Sequence, residues 1–262
     1  MTAEGVAALR ADRDVVLALL GDLDPSEWQA ASDCDGWRVQ DVIAHLANTF
    51  RAVADPGALP PGVPGDLEAS QDAQVAAHRD WTAAEVEADY TAISATALDL
   101  LEQWQGPPPV TTLIPIEDAG HHPLHLVANA LAFDHFCHLR NDILKPLGPI
   151  DRPAPPADDL RVRATLEWLM AGLPQMSSSL TSVLTEPVGL DLTGPGAGSW
   201  TVAIRDGEIT VQGGASPNTT VQGTTTEFII WATHRRPWRA FDLEITGNRD
   251  YAAAVLDAIH LF

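Results

Sequence analysis

The sequence has few cysteines, few basic residues and no long hydrophobic run. Two cysteines among 262 residues are too few for a disulfide framework and are typical of a reducing compartment. No run approaches the roughly 18 apolar residues of a membrane span, and the first residues lack the pattern of a secretory signal. We therefore expect a cytoplasmic protein without a membrane segment.

Basic residues are outnumbered by acidic ones, 15 against 36, which gives a formal net charge of -21. Such a surface repels both a phosphate backbone and an anionic bilayer, so neither nucleic acid nor a membrane is an expected partner. The hydrophobic content of 45% is enough for a globular core. The expected partners are small molecules, and the oligomeric state stays open.

Apolar residues at helical spacing dominate the first half of the chain. The predicted helices run over residues 6–23, 39–53, 83–104 and 124–138. Four amphipathic helices of this length predict an antiparallel bundle. The segment ADPGALPPGVPGDLEAS between the second and third helices is too rich in proline and glycine to be helical. It is either a surface excursion or part of a binding-site wall.

The pattern changes after the proline-rich segment 146–159, which indicates a linker. A helix is predicted over 160–173, followed by strands and helices that indicate a small α+β domain. The alternating runs 200–205 and 208–212 flank Asp206-Gly207, a dipeptide that favours a type I′ hairpin. Further strands are predicted at 188–192, 218–222 and 243–246, and further helices at 225–234 and 249–261. We therefore place two domains at residues 1–150 and 151–262.

Asp134 and His138 are four residues apart on the fourth predicted helix and therefore lie on one face. Since that face looks into the bundle, an unpaired carboxylate there would be costly. A divalent cation would remove that cost, and His45, which borders the apolar face of the second helix, is a candidate third ligand. The same spacing also suits a hydrogen-bonded surface pair. His135 competes with Asp134, and His121, His122 and His125 crowd the same segment.

The run DCDGWRVQDVIAHLA, from Asp33 to Ala47, resembles the signature Cys-x-Gly-Trp-x-Val-x-Asp-Val-x-x-His-Leu of the mycothiol-dependent maleylpyruvate isomerase family. The segments TTTEFIIWATHRRPW and LEITGNRDYAAAVLDAIHLF resemble the C-terminal domain of that family. This resemblance implies an all-α DinB-like four-helix bundle followed by a small α+β sterol-carrier-like domain.

The resemblance also implies a site. It carries over His45, Asp134 and His138 as ligands of zinc or another divalent metal, with mycothiol or a similar low-molecular-weight thiol as cofactor. A metal lowers the pKa of a coordinated thiol. The expected reaction is thiol-dependent isomerisation or S-conjugation of a small electrophile. The alternatives are a divergent biosynthetic thiol transferase or lyase, and a metal-free small-molecule binding protein on the same scaffold.

Two departures from the family pattern fall in this site. Asp134 stands where glutamate is usual, and the family's His-x-Trp-Asp is replaced by His-Leu-Arg-Asn-Asp, from His138 to Asp142, without the tryptophan. These changes point to a different substrate or reaction, or to loss of the metal. Arg235, Arg236 and Arg140 are candidate substrate- or thiol-binding residues, because the fork-shaped guanidinium suits a carboxylate. Arg235 and Arg236 also fit a solvated basic turn.

Overall fold

The computed structural model describes residues 2–106, 110–214 and 217–262. The helices in these ranges are α1 (Thr2–Leu20), α2 (Pro25–Trp28), α3 (Val39–Ala54), α4 (Leu67–Ala76), α5 (Ala83–Trp104), α6 (Val127–Cys137), α7 (Asp159–Met176), α8 (Leu180–Val183), α9 (Thr225–Ala232) and α10 (Arg249–Ala258). The strands are β1 (Leu113–Ile116), β2 (Gly120–Pro123), β3 (Val188–Thr193), β4 (Gly198–Arg205), β5 (Glu208–Gly213), β6 (Thr219–Thr224) and β7 (Glu244–Thr246). None of the described helices combines the length and the apolar character that crossing a bilayer would require.

The chain divides into two compact units, Met1–Glu117 with Pro123–Pro156, and Asp118–His122 with Ala157–Phe262. The first unit therefore extends past residue 150. The five residues Asp118–His122, which precede α6, belong to the second unit. In the first unit α3 packs against α5, and α1 packs against α6. Large side chains buried in this unit include Leu9, Leu46, Phe50, Tyr90, Leu101 and Leu139. The predicted helical bundle followed by a small α+β unit is confirmed.

Local sequence signals explain where the long helices begin. Thr82 caps α5, because its side chain accepts a hydrogen bond from the Glu85 N–H while Glu85 caps Thr82 in return. Asp24 caps the short α2 in the same way, so the chain starts a new helix where we expected only an end. The prediction of a non-helical segment before α5 is wrong at the C-terminal end of that segment. Residues from Leu67 onward form α4, which is capped by Asp66.

The end of the fourth bundle helix departs from α-helical geometry. α6 ends at Cys137, and residues His138–Ile143 form a turn of π-helix. The wider i→i+5 hydrogen bonding of such a turn accommodates one more residue than an α-turn, and π-turns occur frequently at functional sites. The Leu144 N–H donates to the Leu139 carbonyl at 3.1 Å. This is an ordinary N–H···O hydrogen-bond distance. The turn changes which side chains meet after His138.

A buried ion pair ties this π-turn to α1. The Arg140 guanidinium donates through both terminal nitrogens to the Asp12 carboxylate, each at 3.0 Å. It also donates to the carbonyls of Phe136 and Pro156 and lies 4.1 Å above the Phe136 ring. Asp12 is 1% exposed, so the pair is held in the interior, where removal of one partner leaves an uncompensated charge.

His135 links α6 to α5 inside the bundle. Its Nδ1 lies 2.8 Å from the Leu131 carbonyl, and its Nε2 lies 3.0 Å from the Tyr90 hydroxyl. The ring therefore donates at Nδ1 and accepts at Nε2, which requires the neutral imidazole. Burial lowers the pKa of His135 to about 4. His135 is a core residue of the bundle. Asp134, and not His135, therefore lies with His45 and His138 in the group of potential ligands.

The second unit contains a five-stranded sheet with the order β5-β4-β3-β6-β7. β3 and β6 run parallel, and the other neighbouring strands are antiparallel. The predicted hairpin is confirmed, because Asp206 and Gly207 have φ angles of 53° and 89°, the positive values that a type I′ turn requires. The predicted helices and strands of this unit are also present, with ends shifted by one to three residues.

Replacing Asp12 by alanine should destabilise the first unit strongly, because it leaves the Arg140 charge buried without a counter-ion. We expect the free energy of unfolding to fall by about 3–5 kcal/mol in denaturant titration. The control is Asp14→Ala on the same helix, where an exposed carboxylate 3.6 Å from Arg13 should contribute less than about 1 kcal/mol. Equal losses for the two variants would contradict a structural role for the pair.

The buried neutral His135 should make stability depend on pH. Its pKa is about 4 in the folded chain and about 6.5 when unfolded, so below pH 6.5 the unfolded state binds more protons. Stability is therefore lost as the pH falls from about 7 towards 4, by about 2 kcal/mol at pH 5. The measurement compares the free energy of unfolding of the wild type and of His135→Gln at pH 7 and at pH 5. A variant that shows the full wild-type pH dependence would refute this assignment.

Candidate metal centre

Three predicted ligands from two bundle helices meet in the first unit. His45 lies on α3, Asp134 on α6 and His138 at the start of the π-turn. Potential ligand atoms of these residues all lie within 4.8 Å of one another, with His45 Nε2 3.8 Å from Asp134 Oδ2. The two imidazole rings are 4.9 Å apart in an edge-to-face arrangement. The shorter arm of Asp134 therefore still reaches the two histidines.

The donor set fits a divalent cation. A zinc ion bonded at roughly 2.0–2.2 Å places neighbouring N and O ligands between about 3 and 4 Å apart, which is close to the His45–Asp134 distance of 3.8 Å. His45 is buried, with only 2% of its side chain exposed, whereas the Asp134 side chain is 20% exposed. The centre is therefore enclosed on the α3 side, and solvent reaches it beside Asp134.

Asp142 fixes the orientation of His138. The His138 Nδ1–H donates to Asp142 Oδ2 at 2.7 Å, since an ionised carboxylate only accepts. The Asp142 side chain is 2% exposed, so this bond is held in the interior of the bundle. With Nδ1 engaged, Nε2 is the nitrogen of His138 that remains to bind a metal. A carboxylate on the second nitrogen of a ligating histidine is a common feature of metal centres.

The same neighbours shift the pKa of His138. Burial lowers the pKa of this imidazole, but the hydrogen bonds to Asp142 and Cys34 outweigh burial and raise it to about 10. Without a cation the ring therefore holds a proton on both nitrogens at neutral pH. Because a metal binds the neutral imidazole, cation binding must release one proton from His138.

Cys34 also approaches this histidine. Its Sγ lies 3.7 Å from His138 Nδ1, which gives a second group of potential ligands, Cys34, His138 and Asp142, within the described residues. Gly36, with a φ of 76°, turns the backbone between Cys34 and α3. The Asp33 N–H donates to the Asp142 carbonyl at 3.0 Å, so this turn is attached directly to the π-turn.

Trp37 forms an aromatic wall beside both imidazoles. Its ring lies 5.2 Å from the His45 ring and 6.4 Å from the His138 ring. The indole N–H donates to Asp72 on α4 at 2.8 Å. Asp72 lies two residues beyond the predicted loop, so this contact attaches α4 to Trp37, and the two alternatives for the loop stay open.

The three predicted arginines occupy different environments. Arg140 donates to Asp12 and to two main-chain carbonyls, contacts that stabilise the bundle, and its role in binding substrate or thiol stays a prediction. Arg235 and Arg236 follow α9 in the second unit. Arg235 donates to the Thr233 hydroxyl at 3.1 Å, and Arg236 donates to the Arg235 carbonyl at 2.6 Å. Their role in binding substrate or thiol stays a prediction.

The other histidines near α6 make separate contacts. His125 Nδ1 lies 2.9 Å from the Val110 carbonyl, and His122 Nε2 lies 2.9 Å from the Ala119 carbonyl. His121 is exposed. Among the described residues, none of these three belongs to a group of potential ligands. The crowding of histidines in this segment is therefore no signal of a metal site.

Three residues that contact the proposed ligands had no predicted role in the site: Cys34, Trp37 and Asp142. Cys34 and Trp37 belong to the signature that carries the family resemblance, so the motif contained a signal to which no role was given. Asp142 gave a weaker signal. It is four residues beyond His138, but it lies past residue 138, where the fourth helix was predicted to end, and the chain continues there as a π-turn.

Comparison with known proteins shows which family the chain resembles. Residues 9–142 match the protein family described as mycothiol maleylpyruvate isomerase N-terminal domain. A crystal structure of the mycothiol-dependent maleylpyruvate isomerase is similar, with a TM-score of 0.58 and 16% identity, covering 94% of this chain and 92% of that chain. A histidine-to-alanine mutant of that enzyme has a TM-score of 0.55 and 16% identity, with 90% of each chain covered.

No protein of curated function matches the sequence, and at 16% identity the two crystal structures show a shared fold alone. The family match is more specific. It spans 134 of the 262 residues and includes all three proposed ligands and the signature around Trp37. The chain therefore belongs to the mycothiol maleylpyruvate isomerase N-terminal domain family.

Proposed function

We propose that this protein is a zinc-dependent enzyme that uses a mycothiol-like thiol to isomerise or S-conjugate a small electrophile. The observation that carries the proposal is the meeting of His45, Asp134 and His138 within 4.8 Å. Two imidazoles and one carboxylate leave one position of a tetrahedral zinc open, as in catalytic zinc sites. Family membership and the mycothiol-dependent isomerase with the same fold support the choice of thiol.

Zinc bound by these residues would lower the pKa of a coordinated thiol, so that the thiolate is available at neutral pH. The chain's own residues prepare the site for this chemistry. Asp142 holds the Nδ1 proton of His138, the Trp37 ring lies beside both imidazoles, and the partly exposed Asp134 side chain leaves an entry for thiol and substrate.

A thiol bound at this site would supply a sulfur nucleophile for one carbon of an electrophilic double bond. Reversible addition, in which the electron pair returns and the sulfur leaves unchanged, would give the trans isomer without consuming thiol. Addition completed by a proton would give an S-conjugate and would consume one thiol.

One observation favours a metal-free alternative. The 2.7 Å bond between His138 and Asp142 satisfies a protonated His138 without any cation, as in an ordinary buried ion pair. On this alternative the chain is a small-molecule binding protein that keeps the scaffold of the family. The two functions predict different metal contents.

Metal analysis of the purified protein tests the proposal. We expect about one zinc per chain in the wild type and loss of that zinc in His45→Ala, because two ligands do not hold the ion. The control is His121→Ala, which removes an exposed imidazole and should keep its zinc. Absence of zinc from the wild type after reconstitution would favour the metal-free alternative. Incubation with thiol and electrophile then separates isomerase from transferase, because only a transferase accumulates an adduct in the mass spectrum.

Asp142→Asn should weaken metal binding without removing a ligand. The amide no longer attracts the Nδ1 proton of His138 as a charge does, so we expect the zinc affinity to fall by about 10–100-fold in competition with a chelator. The control is Asp35→Asn, which changes an exposed carboxylate in the neighbouring turn. An unchanged affinity in Asp142→Asn would show that this residue does not position His138.

A further inference from the structure

A second group of potential ligands lies on the Nδ1 side of His138. It consists of Cys34, His138 and Asp142. Both neighbours approach the same nitrogen, since Cys34 Sγ lies 3.7 Å and Asp142 Oδ2 lies 2.7 Å from His138 Nδ1. Cys34 is half-buried, so an ion can reach its thiol from solvent. The function proposed above gives this thiol no part.

Hydrogen bonds on two sides fix the turn that carries the Cys34 thiol. The Ser32 hydroxyl donates to the Trp37 carbonyl at 2.9 Å and accepts from the Cys34 N–H at 3.1 Å. The Trp37 N–H donates to the Cys34 carbonyl at 3.1 Å, and the Asp33 N–H donates to the Asp142 carbonyl at 3.0 Å. The thiol is therefore held in place before any ion binds, which reduces the ordering cost of binding.

The distances in this group suit a cation with two ligands better than a tetrahedral ion with three. A cation bonded to sulfur at about 2.3 Å and to nitrogen at about 2.0 Å holds these atoms roughly 3.5–3.8 Å apart, and Cys34 Sγ lies 3.7 Å from His138 Nδ1. The 2.7 Å between Asp142 Oδ2 and Nδ1 is shorter than the roughly 3–4 Å between N and O ligands of one zinc ion. Cu⁺ is a soft cation that thiolate ligands select, and it forms stable complexes with two ligands. The pair of Cys34 and His138 therefore fits Cu⁺.

One neutral imidazole cannot bind a metal through both of its nitrogens. It has a single lone pair for a metal, because the other nitrogen carries a hydrogen. Zinc on Nε2 of His138 leaves that hydrogen on Nδ1, where Asp142 accepts it. A cation on Nδ1 requires the hydrogen on Nε2 and so removes the lone pair that zinc needs. The two metal positions therefore exclude each other.

We propose that Cys34 Sγ and His138 Nδ1 form a second metal position, which binds Cu⁺, and that Cu⁺ bound there excludes zinc from His138. The second position stands independently of the proposed function, and only the exclusion of zinc rests on it. The step is a ligand exchange without any change of oxidation state. The thiol releases its proton to solvent, the hydrogen of Nδ1 is transferred to Nε2, and one Zn²⁺ leaves as one Cu⁺ binds. Excess Cu⁺ therefore switches the metal centre off.

The experiment titrates the zinc-loaded protein with Cu⁺ under nitrogen, with ascorbate as reductant and a coloured Cu⁺ chelator as competitor. We expect about one Cu⁺ bound per chain and about one zinc released for each Cu⁺ bound. Cys34→Ser removes the sulfur ligand and His138→Gln removes the nitrogen ligand, so both variants should lose Cu⁺ binding against the chelator. The matched control is Cys137→Ala, which removes the other cysteine, a thiol buried on α6, and should bind Cu⁺ as the wild type does.

Thermal unfolding shows whether each variant is folded. His45→Ala separates the two metal positions, because it should lack zinc and still bind Cu⁺. Wild-type Cu⁺ affinity in Cys34→Ser or in His138→Gln would overturn the second position. Cu⁺ bound through Cys34 with the zinc retained would overturn the exclusion. If the wild type holds no zinc but binds Cu⁺ through Cys34 and His138, the proposed function fails and the second position stands.

Discussion

The hydrogen bond between His138 and Asp142 is the constraint on which the candidate site depends. It engages Nδ1 of His138, which leaves Nε2 to bind a metal, and it keeps a carboxylate in the bundle interior at 2.7 Å from its partner. An unpaired acid at that depth would be costly. The π-turn places the two side chains together, and the Asp12–Arg140 pair attaches that turn to α1. The geometry of the candidate site is therefore maintained by the Asp142 carboxylate and by the Asp12–Arg140 pair.

Much of the fold could be predicted from the sequence because its signals are local. The apolar stripe and the Thr82 cap locate α5, and the positive φ angles at Asp206 and Gly207 follow from the residue types in the turn. The pairing of Asp134 with His138 also follows from helical periodicity. The approach of His45 does not, since 89 residues separate it from Asp134. Only the resemblance of the Trp37–His45 run to a known family predicted that meeting.

Other features could not be predicted because they depend on contacts between distant segments or on irregular backbone. Asp142 lies beyond residue 138, the predicted end of the fourth helix, and the chain continues there as a π-turn in which Asp142 contacts His138. Arg140 has the charge and shape of a carboxylate-binding residue, but the carboxylate that it binds is Asp12 of its own chain. α4 begins directly after a segment rich in proline and glycine, and composition over a window concealed its start. In each case a rule based on local sequence was overridden by a tertiary contact or by irregular backbone.

The two departures from the family pattern look different in the folded chain. The position of the missing tryptophan, two residues after His138, is taken by Arg140, whose contacts with Asp12 and the Phe136 ring tie the turn to the bundle. The family's acid lies three residues after the histidine and here lies four after it, and the π-turn accommodates the extra residue. Trp37 still covers both imidazoles. The substitutions therefore change how the helix ends, while potential ligand atoms of His45, Asp134 and His138 still lie within 4.8 Å of one another.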